Sequence, residues 1–286
     1  MHIDEFKNLF YNNTKNEPDK NRLRQHFNSF YFSYKDFLLS KVSVKDKILE
    51  VGSGHSLLLN YLNLKNYDIK GIEPYSEGFE SFEKINKIIN NIFKVDAIEP
   101  EKITIENYNP IENYDIILSV YVIEHMNKWE NCIDSKLEML NKGGKIIMYL
   151  PNYMVPFEMH FFIPIIINKK ITNYFYNNRI KNFELKNDCV GLWNSLNFVK
   201  LRTIKNQLKK HNVNYRIDYD YTYRILKHHV KHRKKKLNDV IEYYNKGKIF
   251  YFLYNLLCFL VDKKILKIIK FLPLIFHPYL KIIINK

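Results

Sequence analysis

The chain has 286 residues, 46% of them hydrophobic and 26% charged, with a formal net charge of +15. That apolar share excludes an intrinsically disordered chain, and the length suits one large domain with insertions or two small ones. Three dispersed cysteines, Cys132, Cys189 and Cys258, exclude a disulfide framework, show no metal-ligand spacing and point to a reducing compartment.

Lysine, asparagine, isoleucine and tyrosine are abundant along the whole chain, so the positive charge reads first as a diffuse compositional bias. An anionic membrane surface and an acidic or nucleic-acid partner are the alternatives. The start, MHIDEFKNLFYNNTKNEPDKN, is polar and carries acids, unlike a secretory signal. The longest apolar candidate, 249–261, is too short to span a bilayer. The expectation is a cytoplasmic protein, with peripheral contact on the inner face of a membrane as an addition.

Residues 1–40 carry apolar positions at helical spacing, among them Leu23, Phe27, Phe30, Tyr34 and Phe37, and are read as an N-terminal helical cap. KILEV (47–51) reads as a strand, GSGH as a turn and SLLLNYLNL as the start of a helix. A second strand is expected at 67–74, a helix at 76–90 and a third strand at 91–97. YDIILSVYVIEHM (114–126) contains a fourth strand, apolar on both faces as a buried parallel strand requires. A helix over 129–140, stopped by NKGG (141–144), leads to a fifth strand at 145–151. Strands alternating with helices predict an open parallel sheet.

Beyond it, PNYMVPFEMHFFIPIII (151–167) is aromatic and broken by proline, and predicts a lid. A helix is expected at 198–210, an alternating strand at 214–226, basic then amphipathic helices over 227–275 and a terminal strand at 279–286. The division that follows is a cap (1–40), a core (41–226) containing the lid (151–195), a helical insertion (227–275) and a final core strand (276–286).

Gly52 and Gly54 stand at the first strand-to-helix turn of a chain with only eight glycines. Such a pair lets backbone approach a ligand closely and exposes amides at a helix N-terminus, although it also suits a plain tight turn. Ser56 stands where a dinucleotide fingerprint would begin to demand its further glycine, and none follows, so a nucleoside-like ligand is favoured over a pyrophosphate. Glu73 ends the second strand, about twenty residues after the glycines, where a carboxylate can accept ribose hydroxyls. Asp96, at the end of the expected third strand, can accept from an exocyclic adenine amine. Either acid alone could be a solvated strand end.

With those residues in series, the chain resembles the class I S-adenosylmethionine-dependent methyltransferases. The matching stretches are ILEVGSG (48–54), GIEP (71–74), FKVDA (93–97), YDIILSVYVIEHM (114–126) and LNKGGKIIMYLPNY (140–153). The resemblance implies an α/β, Rossmann-like, three-layer αβα fold. Its seven-stranded sheet is mostly parallel and ends in a C-terminal antiparallel hairpin, supplied here by 214–226 and 279–286. It implies S-adenosyl-L-methionine as cofactor, contacted by Glu50, Val51, Gly52, Ser53, Gly54, Glu73, Pro74, Asp96, Ala97, Ser119 and Val120. Ser56 departs from the family glycine, which is expected to tighten the methionine end.

A sulfonium methyl is already activated, so the protein mainly aligns a nucleophile and excludes water. A hydroxyl acceptor also needs its proton taken. The resemblance places His125 where the methyl points, as base or substrate ligand, with Glu158 and His160 of the lid over the same edge. Tyr121 and Tyr153 are expected to line the substrate pocket. Packing and lid-stabilising roles are the alternatives for each. Glu124, His125 and His160 partly resemble the metal ligands of small-RNA 3′-end ribose methyltransferases. Tyr121 stands where the first glutamate would be, so no metal is expected.

KHHVKHRKKK (227–236), with His228, His229 and His232, reads as a solvated helix face or as a site for phosphate or anionic lipid. In 263–276 the lysines 263, 264, 267 and 270 share one helical face, which fits a membrane-surface helix or, the favoured reading, one docked on the core. The expected activity is O-methylation of a small molecule, glycan or lipid-linked precursor. RNA ribose 2′-O-methylation and a non-catalytic binder or scaffold are the alternatives.

Overall fold

In β1 (Lys47–Val51) neighbouring side chains leave opposite faces: Ile48 packs in one buried cluster, Leu49 and Val51 in another. β3 (Tyr114–Val120) repeats the pattern, with Ile116 and Leu118 on the first side and Ile117 on the second. A sheet apolar on both faces must be covered on both, and it is. The first face carries α1 (Ile3–Asn13), α2 (Lys20–Leu38), α3 (Leu57–Leu64), α4 (Ser81–Phe93) and α9 (Asp220–Arg233); the second carries α5 (Trp129–Glu138) and α8 (Leu201–Lys210). These relationships come from a computed structural model that describes residues 1–17, 20–75, 78–79, 81–233 and 248–286.

The remaining strands of the sheet are β2 (Asp68–Ile72), β4 (Leu140–Pro151), β7 (Asn214–Ile217) and β8 (Tyr279–Asn285), in the order β2-β1-β3-β4-β8-β7. The first four run parallel, and β8 is antiparallel to both β4 and β7. The parallel sheet with its antiparallel C-terminal pair matches the expected fold class.

Among the described residues this sheet has six strands, not seven. The strand expected at 91–97 is helical: α4 runs to Phe93 and a 3-10 turn covers Lys94–Asp96. Helical spacing of apolar side chains simply continues there, and the Phe93 ring packs 5.1 Å from that of Phe6. The edge position beside β2 is held instead by one parallel bridge between Ile72 and Glu101. The Glu101 amide donates to Gly71 and its carbonyl accepts from the Glu73 amide, both at 2.9 Å.

Three further expectations change. NKGG does not end a helix before a strand, because β4 already starts at Leu140 and absorbs it with a register shift opposite Tyr114–Ile116. The strand expected over 214–226 stops at Ile217, where Asp218 turns the chain and accepts from the Asp220 amide at 3.1 Å to open α9. The tyrosines at 219, 221 and 223 imitate strand alternation, yet Tyr221, Thr222 and Ile225 are buried at helical spacing. The stretch 263–276 is not one amphipathic helix. After α10 (Lys248–Asp262), Lys264 takes φ +59°, and 3-10 turns follow at Ile265–Phe271 and Leu274–Phe276 on either side of Pro273. The basic run expected at 227–236 belongs to α9 as far as Arg233, and 234–247 lie outside the described residues.

The lid is a folded unit. β5 (Phe157–Glu158) and β6 (Ile163–Pro164) form a hairpin, followed by α6 (Lys169–Lys186) and α7 (Leu192–Ser195) around Phe161, Ile163, Ile180 and Trp193. Buried Asp36 of α2 accepts from Lys281 Nζ (2.6 Å), Arg224 Nε (2.6 Å) and Tyr149 Oη (3.0 Å), tying α2 to β8, α9 and β4. No helix of the described residues is long and apolar enough to cross a membrane.

Candidate active site

A cavity of about 910 Å³ opens at the carboxyl ends of β1, β2 and β3, bounded by Val51, Glu73 and Val120 at those ends. This is where an open α/β sheet places ligands. Its floor is the loop after β1. Gly52 has φ +75°, and a Cβ there would fall 2.4 Å from Val122 Cγ2. The residue is therefore glycine both for its backbone conformation and to admit Val122, beyond any clearance for a ligand. The Gly52 and Ser53 amides both donate to the Ile72 carbonyl, at 2.9 and 3.1 Å, which clamps the loop to β2. Ser56 also lies in the left-handed region, at φ +54°, just ahead of α3. Glycine suits that conformation without strain, so the departure at Ser56 is one of backbone geometry.

Two carboxylates govern the charge of this floor. Glu73 accepts from the Gly54 amide at 2.7 Å and the Tyr75 amide at 3.2 Å, and burial raises its pKa despite both bonds. Glu50 is buried with its Oε2 lacking any hydrogen-bond partner. Burial, then the neighbouring Glu73 charge, push its pKa up to about 8. A buried orphan carboxylate beside a glycine loop calls for a cationic ligand group. S-adenosylmethionine, which carries an ammonium and a sulfonium on a nucleoside, fits this donor set.

Gly54, Ser53, Pro74 and Val120 also border the cavity. Asp96 and Ala97 do not border it: Asp96 is exposed on its 3-10 turn, and its carbonyl accepts from Asn63 Nδ2 at 3.1 Å. With the third strand replaced by helix, the wall beyond Glu73 is formed by Ile103, Thr104, Ile105 and Glu106, which follow the Glu101 bridge. Ser119 does not border the cavity either: it is buried, its Oγ accepting from the buried Lys136 ammonium at 2.8 Å.

A 3-10 turn, Ile123–His125, follows β3. His125 Nδ1 lies 2.9 Å from Ser195 Oγ, and Ser195 in turn donates to the Leu192 carbonyl at 2.8 Å. The serine therefore accepts from Nδ1–H, which leaves Nε2 as the acceptor nitrogen. Burial, then the nearby His160 and Lys169 charges, hold the His125 pKa well below the ordinary histidine value. His160 is the opposite case. Burial alone would lower it, but the Glu158 carboxylate 2.7 Å from its Nδ1 raises it instead. Glu158 is likewise pulled below the carboxylate range, against burial, by His160 and by the Phe161 amide at 2.8 Å. His125 and His160 both border the cavity, whereas Glu158 stands behind His160.

Glu124 is fully buried, with neither carboxylate oxygen hydrogen-bonded, and burial pushes its pKa up to about 7. Glu124, His125 and His160 bring one ligand atom each to within 4.8 Å of one another. Such a trio can hold a divalent ion, and the near-neutral Glu124 can equally hold a proton in its place. Tyr121 borders the cavity in a left-handed conformation (φ +57°), with its Oη 2.7 Å from that of Tyr221. Tyr153 does not border it: the ring is buried, stacked 4.6 Å from Phe198.

Residues not anticipated also shape the site. Gln25, Ser29 and Ser33, four apart on α2, put a polar stripe of the N-terminal helices into the cavity wall. Their spacing is visible in the sequence, but which element they face is not. Ser195 has no local sequence signal at all.

The chain matches a family model described as a methyltransferase domain over residues 23–216. Two uncharacterized proteins from strains of Mycobacterium tuberculosis are each 31% identical over 168 residues, covering 58% of this chain and 57% of the relative. The matched region thus spans little more than half the length of these curated relatives. Among solved structures, an S-adenosylmethionine-dependent methyltransferase from Mesorhizobium loti has a TM-score of 0.50 and 9% identity, over 88% of this chain and 96% of that one. The plantazolicin methyltransferase BpumL, solved with a triazolic desmethylPZN analogue and S-adenosylhomocysteine, has a TM-score of 0.47 and 15% identity, over 99% of this chain and 98% of that one.

Proposed function

The chain belongs to the methyltransferase-domain family, and from that premise we propose that it methylates an oxygen of a small molecule, glycan or lipid-linked precursor, with S-adenosylmethionine as donor. The cofactor, when bound, supplies an electrophilic methyl group. The protein's own residues hold it and prepare the acceptor. Glu50 offers its bare carboxylate oxygen to a cationic group, Glu73 accepts from ribose hydroxyls, and Ile103–Glu106 take the wall position expected of Asp96.

The observation that carries this reading is the state of His125. It faces the same cavity as the glycine loop, its Nδ1 is engaged by Ser195, and burial keeps the ring neutral. A neutral imidazole with Nε2 free to accept takes a hydroxyl proton as the oxygen is methylated. The Glu158–His160 pair, which favours a protonated His160, orients the acceptor through hydrogen bonds from the lid side.

Calorimetry with S-adenosylhomocysteine, followed by incubation of cell-extract fractions with methyl-labelled cofactor, tests the proposal. We expect binding, and label in a hydroxyl-bearing small molecule or glycan. His125→Ala should bind equally and transfer about a hundredfold more slowly. No binding would favour a scaffold role, and label in RNA would replace the acceptor class.

A further inference from the structure

The residues after α10 carry an apolar face that the core does not cover. Cys258 and Val261 pack with Val230 of α9, and Ile269 is buried. Around these anchors side chains are exposed: Phe259 at the end of α10 is 51% exposed, and after it Ile268 is 59%, Phe271 77% and Phe276 55%, with Ile265 and Ile275 close behind. The docked helix expected from sequence would bury this face, but with the break at Lys264 and the 3-10 turns only Ile269 of residues 263–276 is buried, and Leu266 and Leu274 are partly covered. Lys263, Lys264, Lys267 and Lys270 are exposed among these apolar residues, and among the described residues none of the four makes an ion pair. From Phe259 to Phe276 the sequence holds a single acid, Asp262.

The face also extends beyond its own segment. Lys270 and Phe271 border a cleft together with Arg216 and with Leu39, which is 61% exposed at the end of α2; Asp218, paired with Arg224, and Asp220 also line it. Apolar side chains and cations are therefore interleaved across two parts of the fold.

We propose that this face docks on an anionic phospholipid bilayer. Exposed apolar area of this kind marks an interaction surface, and the lysines select the occupant. At the centre of a protein–protein interface, interleaved lysines would lose hydration without compensation, and such centres are depleted in lysine. At a lipid headgroup layer the aliphatic stems lie along the apolar surface while the ammonium groups remain among phosphates. Apolar insertion and charge attraction then act together, the pairing that stable peripheral attachment requires.

The experiment is flotation of the full chain with vesicles of phosphatidylcholine alone and of phosphatidylcholine mixed equally with phosphatidylglycerol. Co-flotation with the anionic vesicles only, weakened by high salt, is expected. The triple changes Ile268→Ser/Phe271→Ser/Phe276→Ser and Lys263→Glu/Lys267→Glu/Lys270→Glu should each lower partitioning about a hundredfold. Both variants should keep the wild-type melting temperature and S-adenosylhomocysteine affinity, which separates this surface from the catalytic proposal. The inference is overturned by absence of flotation, by equal binding to the neutral vesicles, or by variants that bind as wild type. A concentration-dependent dimer abolished by the serine changes would overturn it in favour of a second copy of the chain.

Discussion

His125 Nδ1 and Ser195 Oγ lie 2.9 Å apart, so a residue of the lid sets which nitrogen of a core histidine is left to accept a proton. Ser195→Ala should slow transfer by about tenfold while leaving cofactor affinity unchanged, because the ring can then adopt either tautomer. The pH profile adds a second readout. With the His125 pKa well below its ordinary value, the base form predominates across neutral pH, and the rate should show no rise near an ordinary histidine pKa. A clear titration there in single-turnover rates would remove His125 as base.

Legibility in the sequence tracked how local each signal was. Gly52, Gly54 and Glu73 were readable because a strand-to-helix turn and the next strand end lie within about twenty residues in one βαβ unit. Asp96 failed because Ile85, Ile89, Ile92 and Phe93 continue a helical stripe, so tertiary packing on Phe6 used up the residues that looked like a strand. The α2 stripe reaches the cavity through the packing of α2 on the sheet and its Asp36 anchor, and Ser195 reaches His125 through the folded lid; neither long-range contact leaves a local pattern. The exposed face at 259–276 was legible in composition and misread in placement, since a left-handed Lys264 breaks the helix that periodicity implied.

Glu50 makes the stability of the cofactor-free protein depend on pH. Its folded pKa of about 8 stands above the ordinary carboxylate value of 4.5, so its full contribution to stability exists below about 4.5 and is lost as pH rises through about 8. At pH 7 the loss is roughly 3 kcal/mol. Glu50→Gln should remove this slope in melting curves recorded between about pH 5 and 8. The wild-type chain should release a proton on binding S-adenosylhomocysteine, read by titrations in buffers of different ionisation enthalpy, and Glu50→Gln should abolish that release and weaken binding by about tenfold or more.

Glu73 and Asp96 separate under a paired test. Glu73→Ala takes away the acceptor of the Gly54 and Tyr75 amides and leaves both donors to water, for a loss of about 1–2 kcal/mol in stability and a larger one in cofactor affinity. Asp96→Ala changes an exposed side chain away from the cavity and should alter neither quantity. Calorimetry on both variants checks this, and equal affinity in Glu73→Ala would refute its assignment to the ribose.

Asp36 is the acceptor on which three elements converge, and its loss should be felt at the cavity. Asp36→Ala leaves the Lys281 ammonium buried at 1% exposure without its carboxylate, a change that costs about 3–5 kcal/mol. Arg224 retains Asp218, with 2.7 Å between Nη2 and Oδ2, so the penalty falls mainly on Lys281. A double change, Asp36→Leu with Lys281→Met, removes both charges and should recover much of the loss in urea denaturation. Because α2 also carries Gln25, Ser29 and Ser33 into the cavity wall, the single variant should bind S-adenosylhomocysteine more weakly and the double variant should regain affinity in parallel with stability. Stability lost without any change in affinity would show that the N-terminal helices cover the sheet without shaping the site.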